Sequence, residues 1–384
     1  MKNIAILGST GSIGESALKV IREFPREFRV VALSTNANCA KLYDQVREFK
    51  PLFVGVSDLT AAAKLRKKVS RNIRFFDGAE GLSALVSQKK IDHVLMAISG
   101  AGALLPLIEA IKYKKQIALA NKEALVMAGP LVMAAAARNK VKILPVDSEE
   151  SAIWQCLEGE NKRSLKKIYL TASGGPFKDK PKQYFRNISI KEVLNHPRWK
   201  MGRKITVDSA TLMNKGLELL ETMHLFGVSS GMVEIIIHPE AIVHSMVEFN
   251  DGVVMAQLSQ PDMRIPIQYA LTYPERLKNR LQAPDFAKLN SLTFETPDLK
   301  KFPSLGLAYA AARELGTMPA VMNAANEVAV EEFLSGGIRF NDIPEVTAKV
   351  MRRHRVKRSP DLSAILCADH CARTDARKAI EDLN

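Results

Sequence analysis

The first fourteen residues constrain what this chain can fold into more than any other stretch. Residues 2–7, Lys-Asn-Ile-Ala-Ile-Leu, are a short apolar run ending at Gly8, and Ser-Thr-Gly-Ser-Ile-Gly14 then leads into an amphipathic segment over 15–24. Strand, glycine turn and helix are the context that a dinucleotide fingerprint requires. Gly8 permits the tight turn, Gly11 lets the backbone approach a pyrophosphate, and Gly14 lets the helix pack on the strand. The N–H groups at the positive end of the helix would hold the phosphates. The spacing is G-x-x-G-x-x-G rather than the commoner G-x-G-x-x-G, so a plain βα turn competes with the cofactor reading.

The chain beyond this turn extends the pattern. Strand-like runs recur at 29–33, 53–56, 93–98, 116–120 and 142–146, separated by helical patterns at 39–49, 60–69, 104–112 and 125–139. Alternating elements with apolar strands predict a Rossmann-like α/β domain over 1–146, with a doubly wound parallel sheet. Strand-like runs at 166–171, 233–237 and 245–249, with a return at 253–258 after the hairpin turn Asn250-Asp-Gly252, predict an antiparallel sheet with helices on one face. That makes 147–273 a central α+β domain. Residues 274–303, rich in Pro, Lys, Asn and Asp, read as a linker. The pattern over 304–384 is helical, broken at Gly316-Thr-Met-Pro319, Gly336-Gly337 and Ser359-Pro360, and predicts a C-terminal α-helical bundle.

Ligands of open α/β sheets bind beyond the carboxyl ends of the strands, and three such ends carry polar residues. The second strand ends in Ser34-Thr-Asn-Ala-Asn38, with no carboxylate to grip a ribose 2′-hydroxyl. This disfavours NAD and favours NADP, although no Lys or Arg comes before Lys41. Asn121-Lys-Glu123 follows the run at 116–120, and Asp147-Ser-Glu-Glu150 follows the run at 142–146. Ser148 and the acidic turn suit helix capping. Asp147 and Glu149 suit a hard divalent cation equally well, because such ions take oxygen ligands. The turn at Ser173-Gly-Gly175 is either a phosphate cradle or a plain turn.

A further helix is predicted over 208–226, opened by Asp208 or Ser209, both good N-caps. At about 100° per residue, Met213, Gly216, Leu220 and Met223 share one side and Asn214, Lys215 and Glu218 the other. That amide, ammonium and carboxylate form either a solvated outer face or the wall of a site. The preceding His196-Pro-Arg-Trp-Lys-Met-Gly202 has the composition of a flap.

The formal net charge of +14 over 384 residues admits nucleic acid or small anions, such as phosphates and dinucleotides, as partners. The densest basic run, Arg-Arg-His-Arg-Val-Lys-Arg over 352–358, lacks interleaved aromatics and reads as a solvated helix end. Cys39, Cys156, Cys367 and Cys371 are too few and too scattered for a disulfide framework. Cys367, His370 and Cys371 have the residue types of a zinc site but no fourth ligand at matching spacing. With no apolar run long enough to cross a bilayer and no signal segment before Asn3, a cytoplasmic protein is expected.

Taken in order, the polar motifs resemble one family. They are Gly8-Ser-Thr-Gly-Ser-Ile-Gly14, Ala120-Asn-Lys-Glu123, Pro145-Val-Asp-Ser-Glu149 and Ala172-Ser-Gly-Gly-Pro-Phe177. His196-Pro-x-Trp-x-Met-Gly-Arg-Lys204, Val207-Asp-Ser-Ala-Thr211, Asn214-Lys-Gly-Leu-Glu218 and Ile237-His-Pro-x-x-x-x-His-Ser-Met246 come after them. The set resembles the 1-deoxy-D-xylulose 5-phosphate reductoisomerase family over nearly the full chain. The resemblance implies an enzyme of the non-mevalonate route to isoprenoid precursors. Such an enzyme rearranges 1-deoxy-D-xylulose 5-phosphate and reduces the product with NADPH to 2-C-methyl-D-erythritol 4-phosphate. It also implies a divalent cation (Mg²⁺, Mn²⁺ or Co²⁺), a homodimer, and a flap at about 178–204.

Carried over residue by residue, the resemblance makes Asp147, Glu149 and Glu218 the metal carboxylates. Ser148, Asn214 and Lys215 orient the hydroxyls and charge of the sugar phosphate, and Lys122 reaches it. Ser173, Ser209 and Asn214, with His196 nearby, gather the phosphate. Trp199 and Met201 cover the substrate, and His244 lies against its pocket. Thr10, Gly11, Ser12, Ile13, Asn38, Asn121, Glu123 and Gly202 match the family's cofactor contacts.

One departure stands out. The family has Gly, a basic or small polar residue, and Asn where this chain reads Asn36-Ala37-Asn38. Lys41, or backbone and hydroxyl groups of 34–36, would then replace the missing grip on a 2′-phosphate. Two rivals remain: a sugar-phosphate or aldehyde dehydrogenase, which needs no three-carboxylate metal site, and a nucleic-acid-binding protein, motivated by the charge. The enzyme reading expects neither nucleic acid nor membrane as partner.

Overall fold

The computed structural model describes residues 1–195 and 201–383, so His196 and Trp199 lie outside the described residues. The chain packs into two compact units. The first comprises Met1–Ala124, Val132–Ser151 and Asp262–Leu281.

Seven parallel strands form its sheet: β1 (Lys2–Leu7), β2 (Phe28–Thr35), β3 (Phe53–Val56), β4 (Arg74–Asp77), β5 (His93–Met96), β6 (Gln116–Leu119) and β7 (Ile143–Pro145). Their order is β4-β3-β2-β1-β5-β6-β7. Helices α1 (Ser12–Glu23), α2 (Cys39–Phe49), α3 (Leu59–Arg66), α4 (Gly78–Val86), α5 (Leu104–Lys112) and α6 (Glu123–Asn139) make the connections, and α7 (Ser148–Leu157) follows β7. The strands read as apolar runs because both faces are covered; Ile4, Ala5, Ile6 and Leu7 are wholly buried. Chain direction across the sheet reverses between β1 and β5, which makes their carboxyl ends the ligand-binding crevice of such a fold. Two elements, β4 and α4, are missing from the sequence expectation. β4 is an edge strand in which only Phe76 is buried, so it carries no apolar run. α6 is bent at Ala128 (φ −138°, ψ 26°), two residues before Pro130, whose ring cannot fit the straight helix.

The second unit comprises Leu125–Leu131, Ala152–Pro261 and Gln282–Asn384. Between β8 (Leu165–Ala172) and β9 (Val233–Ile237) lie α8 (Ile190–Val193), α9 (Arg203–Ala210) and α10 (Met213–Phe226), and β10 (Val243–Phe249) and β11 (Val254–Leu258) follow. The sheet order is β11-β10-β8-β9. The expected antiparallel sheet is in fact mixed: β8 pairs β10 antiparallel but β9 parallel. A connection carrying three helices is long enough for the crossover that a parallel pair requires.

The single helix expected over 208–226 is also corrected, since it is two helices. Asp208 and Ser209 lie inside α9, and Leu212, at φ 59°, breaks the chain before α10. Asp208 does not act as a cap because its buried carboxylate is committed elsewhere, accepting from Asn326 Nδ2 at 2.8 Å and pairing with Lys204 Nζ at 3.0 Å.

Helix α11 (Arg264–Thr272) packs against α1 in the first unit. Helices α12 (Pro303–Glu314), α13 (Met318–Ser335), α14 (Asp342–Arg353) and α15 (Leu362–Glu381) form the C-terminal bundle, with α13 packed against the other three. Arg352 and Arg353 close α14, exposed, where cations complement the helix dipole. In the stretch expected as a flap, Phe185 is buried against Phe177, Phe302 and Phe340.

Candidate active site

The glycine turn after β1 is built mainly from backbone. Gly8 sits at φ 87°, and a Cβ there would lie 2.4 Å from the Ala97 carbonyl oxygen. A Cβ at Gly14 would lie 2.4 Å from the Gly8 carbonyl oxygen, so helix and turn touch only because neither carries a side chain. Gly11 precedes α1, and no described side chain caps it, which leaves the first N–H groups of the helix for an anion. Gly11 and Ser12 are exposed, and Thr10 and Ile13 are half-buried.

The turn is held from beneath. Buried Gln45 on α2 donates to the Ser9 carbonyl at 2.9 Å and accepts from the Ser9 hydroxyl at 2.7 Å. Ser34 Oγ accepts from Gly8 N at 3.2 Å, and the Thr10 and Thr35 hydroxyls hydrogen-bond at 2.6 Å. Gln45 is absent from the sequence expectation. Its signal is a glutamine on the buried face of α2 beside Leu42 and Val46. Asn38 caps α2, accepting from Lys41 N at 3.3 Å.

The ends of β5, β6 and β7 carry the next group. Asn121 spans two strand ends, its Nδ2 donating to Ile98 O at 2.8 Å, Gly100 O at 3.0 Å and Glu123 Oε2 at 2.8 Å. Its Oδ1 accepts from Ala124 N at 2.9 Å. Buried Lys122 places its Nζ 2.5 Å from Asp147 Oδ2, and Asp147 Oδ1 accepts from Ser148 N at 3.0 Å. The Ser148 hydroxyl donates to Glu149. Carboxylate oxygens of Asp147 and Glu149 lie within 4.8 Å of each other.

In the second unit, α10 decides between the two readings of its polar arc. Lys215 is 4% and Glu218 1% exposed, so the arc is not a solvated face. Glu218 Oε1 accepts from Asn214 Nδ2 at 2.5 Å, and its other oxygen pairs with Lys215. Burying such charges is tolerable only when they are paired and hydrogen-bonded. The opposite side of α10 packs on α12 so closely that a Cβ at Gly216 would lie 2.3 Å from Ala308 Cβ.

His244 is buried on β10, its Nε2 hydrogen-bonded to Ser259 O at 3.3 Å. Burial pushes its imidazole down to about 4, opposed by that hydrogen bond and reinforced by Lys215, so the ring is neutral at pH 7. Thr171 Oγ1 anchors this strand by donating to His244 O at 2.7 Å. His238 holds the preceding turn, its Nε2 accepting from Ile242 N at 3.2 Å and Val243 N at 3.1 Å. Ser173 and Ser209 are half-buried at the end of β8 and within α9. Met201 is half-buried, and exposed Gly202 opens α9.

Asp147 and Glu149 in the first unit, with Lys122 beside them, and Glu218 in the second, with Lys215 beside it, offer only oxygen donors. That chemistry suits a hard divalent cation such as Mg²⁺ or Mn²⁺. A parallel sheet with an uncapped glycine turn at its switch point defines a dinucleotide-dependent enzyme of the doubly wound α/β class.

The comparisons with known proteins narrow the class. The family model for 1-deoxy-D-xylulose 5-phosphate reductoisomerase matches residues 4–129, and two models for C-terminal domains of the same enzyme match 143–226 and 258–375. The chain belongs to the 1-deoxy-D-xylulose 5-phosphate reductoisomerase family. The enzyme of that name from Acetivibrio thermocellus is 52% identical, over 100% of this chain and 99% of the relative. That from Endomicrobium trichonymphae is 50% identical over 100% of both. Among solved structures, a DOX-P reductoisomerase in complex with NADPH, fosmidomycin and magnesium matches with TM-score 0.94 and 41% identity, over 100% of this chain and 99% of that one. The Zymomonas mobilis enzyme in complex with NADPH matches with TM-score 0.91 and 37% identity, over 99% of each.

Proposed function

We propose that Asp147, Glu149 and Glu218 together hold the divalent cation of this chain's reaction, with Lys122, Ser148, Asn214 and Lys215 ordering the substrate beside it. The reaction is the conversion of 1-deoxy-D-xylulose 5-phosphate, by skeletal rearrangement and NADPH-dependent reduction, to 2-C-methyl-D-erythritol 4-phosphate. The observation that carries the residue assignment is the burial of the α10 arc. A protein does not bury an ammonium and a carboxylate on one helical face for solubility, and a site wall is the use that fits them. When bound, the cation supplies Lewis acidity for the ketone and its developing negative charge, and NADPH supplies the hydride.

The remaining roles fall to the chain itself. Asn214 and Lys215 donate to substrate oxygens from a pre-ordered arc. The hydroxyls of Ser173 and Ser209, with His196, take the phosphate. Neutral His244 offers an uncharged wall, and Trp199 and Met201 exclude water. Thr10, Gly11, Ser12 and Ile13 seat the cofactor pyrophosphate on α1, with Asn38, Asn121, Glu123 and Gly202 completing the cofactor contacts.

In this reading residues 1–146 serve the cofactor and 147–273 the metal and substrate. Residues 274–303 link them to the supporting bundle of 304–384. The enzyme works as a cytoplasmic homodimer. Strand β11 supports the dimer, because it edges its sheet and exposes Val254 and Met255, next to exposed Val253. Exposed apolar edges are natural pairing surfaces. No helix among the described residues is long and apolar enough to cross a membrane.

Incubation with 1-deoxy-D-xylulose 5-phosphate, NADPH and Mg²⁺, with identification of the product, tests the reading. It expects 2-C-methyl-D-erythritol 4-phosphate in step with NADPH consumption, lost on chelation and restored by Mg²⁺ or Mn²⁺. Turnover that survives exhaustive chelation, or reduction without rearrangement, would favour a plain dehydrogenase instead.

A further inference from the structure

One ion pair lies beside the glycine turn. Lys41, in the first turn of α2, reaches back toward α1. Its Nζ lies 2.6 Å from Glu15 Oε1 and 3.5 Å from the Thr10 carbonyl oxygen. Both side chains are 41% exposed, and ion pairs this exposed contribute little to stability. The pair sits beside the end of β2, where a dinucleotide fold recognises the adenosine ribose. Of residues 34–41, Lys41 alone carries a charge. The neighbouring Thr35 hydroxyl is engaged with Thr10, and Asn38 Oδ1 with Lys41 N.

We propose that Lys41 is the residue that selects NADPH over NADH, its ammonium exchanging Glu15 for the 2′-phosphate of the cofactor. The inference rests on the dinucleotide reading of the glycine turn. A phosphate monoester brings about −1.5 to −2 charges and three acceptor oxygens, against the single charge of Glu15. An ammonium on a flexible stem has three donors and can turn from one to the other while staying near the Thr10 carbonyl. NADH carries no such phosphate and leaves the Lys41–Glu15 pair as it stands. Glu15 then acts as a mild counter-selection, because its carboxylate must release Lys41 before the phosphate can use it.

The test is direct binding of NADPH and NADH, by calorimetry or nicotinamide fluorescence, to the wild type and to Lys41→Ala, Lys41→Arg and Glu15→Gln. Lys41→Ala should raise the Kd for NADPH about tenfold or more, the loss of a charge-assisted contact. The same variant should change the Kd for NADH less than about twofold, because only the phosphate contact is removed. Lys41→Arg should keep most of the preference, and Glu15→Gln should tighten NADPH alone. A Lys41→Ala variant that weakens both cofactors equally, or neither, would overturn the proposal. So would a wild type with no preference between the two, although the dinucleotide reading would survive. A wild type that binds neither dinucleotide would remove that reading and the Lys41 proposal together.

Discussion

The glycine turn after β1 and the polar arc of α10, both proposed above to meet anionic ligands, are built in opposite ways. The turn presents backbone N–H groups at an exposed helix end, and what it requires of the sequence is the absence of side chains. The arc presents side chains from inside the protein, where Lys215 and Glu218 are tolerated only because each answers the other's charge. A backbone site should therefore lose function through added atoms, and a buried side-chain site through removed ones. In the second case stability and activity should fall together.

Lys215→Ala breaks the arc most severely. Removing one partner of a buried pair should cost about 3–5 kcal/mol in denaturant unfolding, with a loss of kcat/KM of about a hundredfold or more from the missing charge. A cost below about 1 kcal/mol with normal turnover is what a solvated pair would give, and it would erase the contrast. At the turn, Gly8→Ala forces a Cβ to 2.4 Å from Ala97 O at φ 87°, which should cost about 1–3 kcal/mol and abolish NADPH binding. Gly11→Ala meets only Gly8 O at 3.4 Å, so it should leave the unfolding midpoint nearly unchanged while weakening NADPH. That separation is the signature of a backbone site.

Acid sharpens the comparison through the histidines. Burial holds His93 in the first unit, and His224 and His244 in the second, down to about 4. The unfolded chain then binds more protons than the folded one between about pH 6.5 and 4, so stability is complete above 6.5 and falls as the pH drops through that window. Each histidine adds a slope of at most about 1.4 kcal/mol per pH unit. His93→Gln should flatten the profile by one proton, as urea unfolding between pH 4.5 and 7 would register. Gln45→Ala should have the smallest effect. It loosens the support of the turn and should raise the KM for NADPH several-fold, about 1 kcal/mol, with kcat little changed.

The same contrast explains what could be read in advance. Strands β3 and β9 and helices α2 and α5 fall where the pattern puts them, because strands with several buried apolar residues and amphipathic helices write their burial into their composition. β4 escapes because an edge strand needs only one buried residue. The break at Leu212 escapes because a leucine in the left-handed region carries no turn signal. The glycine turn is legible because its chemistry is local. At Asp147 and Glu149 the residues alone left capping and metal binding open, and on α10 a helical wheel cannot tell a solvated arc from a buried one. The roles proposed there rest on the ordered set of motifs, and tertiary packing supplied the burial. Gln45 and the Asp208–Asn326 contact are long-range and have no local mark.

Titration of Mn²⁺ into the wild type and Glu218→Gln, followed by electron paramagnetic resonance with the unfolding midpoint as a check on the fold, shows whether Glu218 is a ligand of the cation. A three-carboxylate site predicts a single tight site in the wild type and at least about a tenfold loss of affinity in a folded Glu218→Gln. A folded variant that binds Mn²⁺ as the wild type does would contradict it.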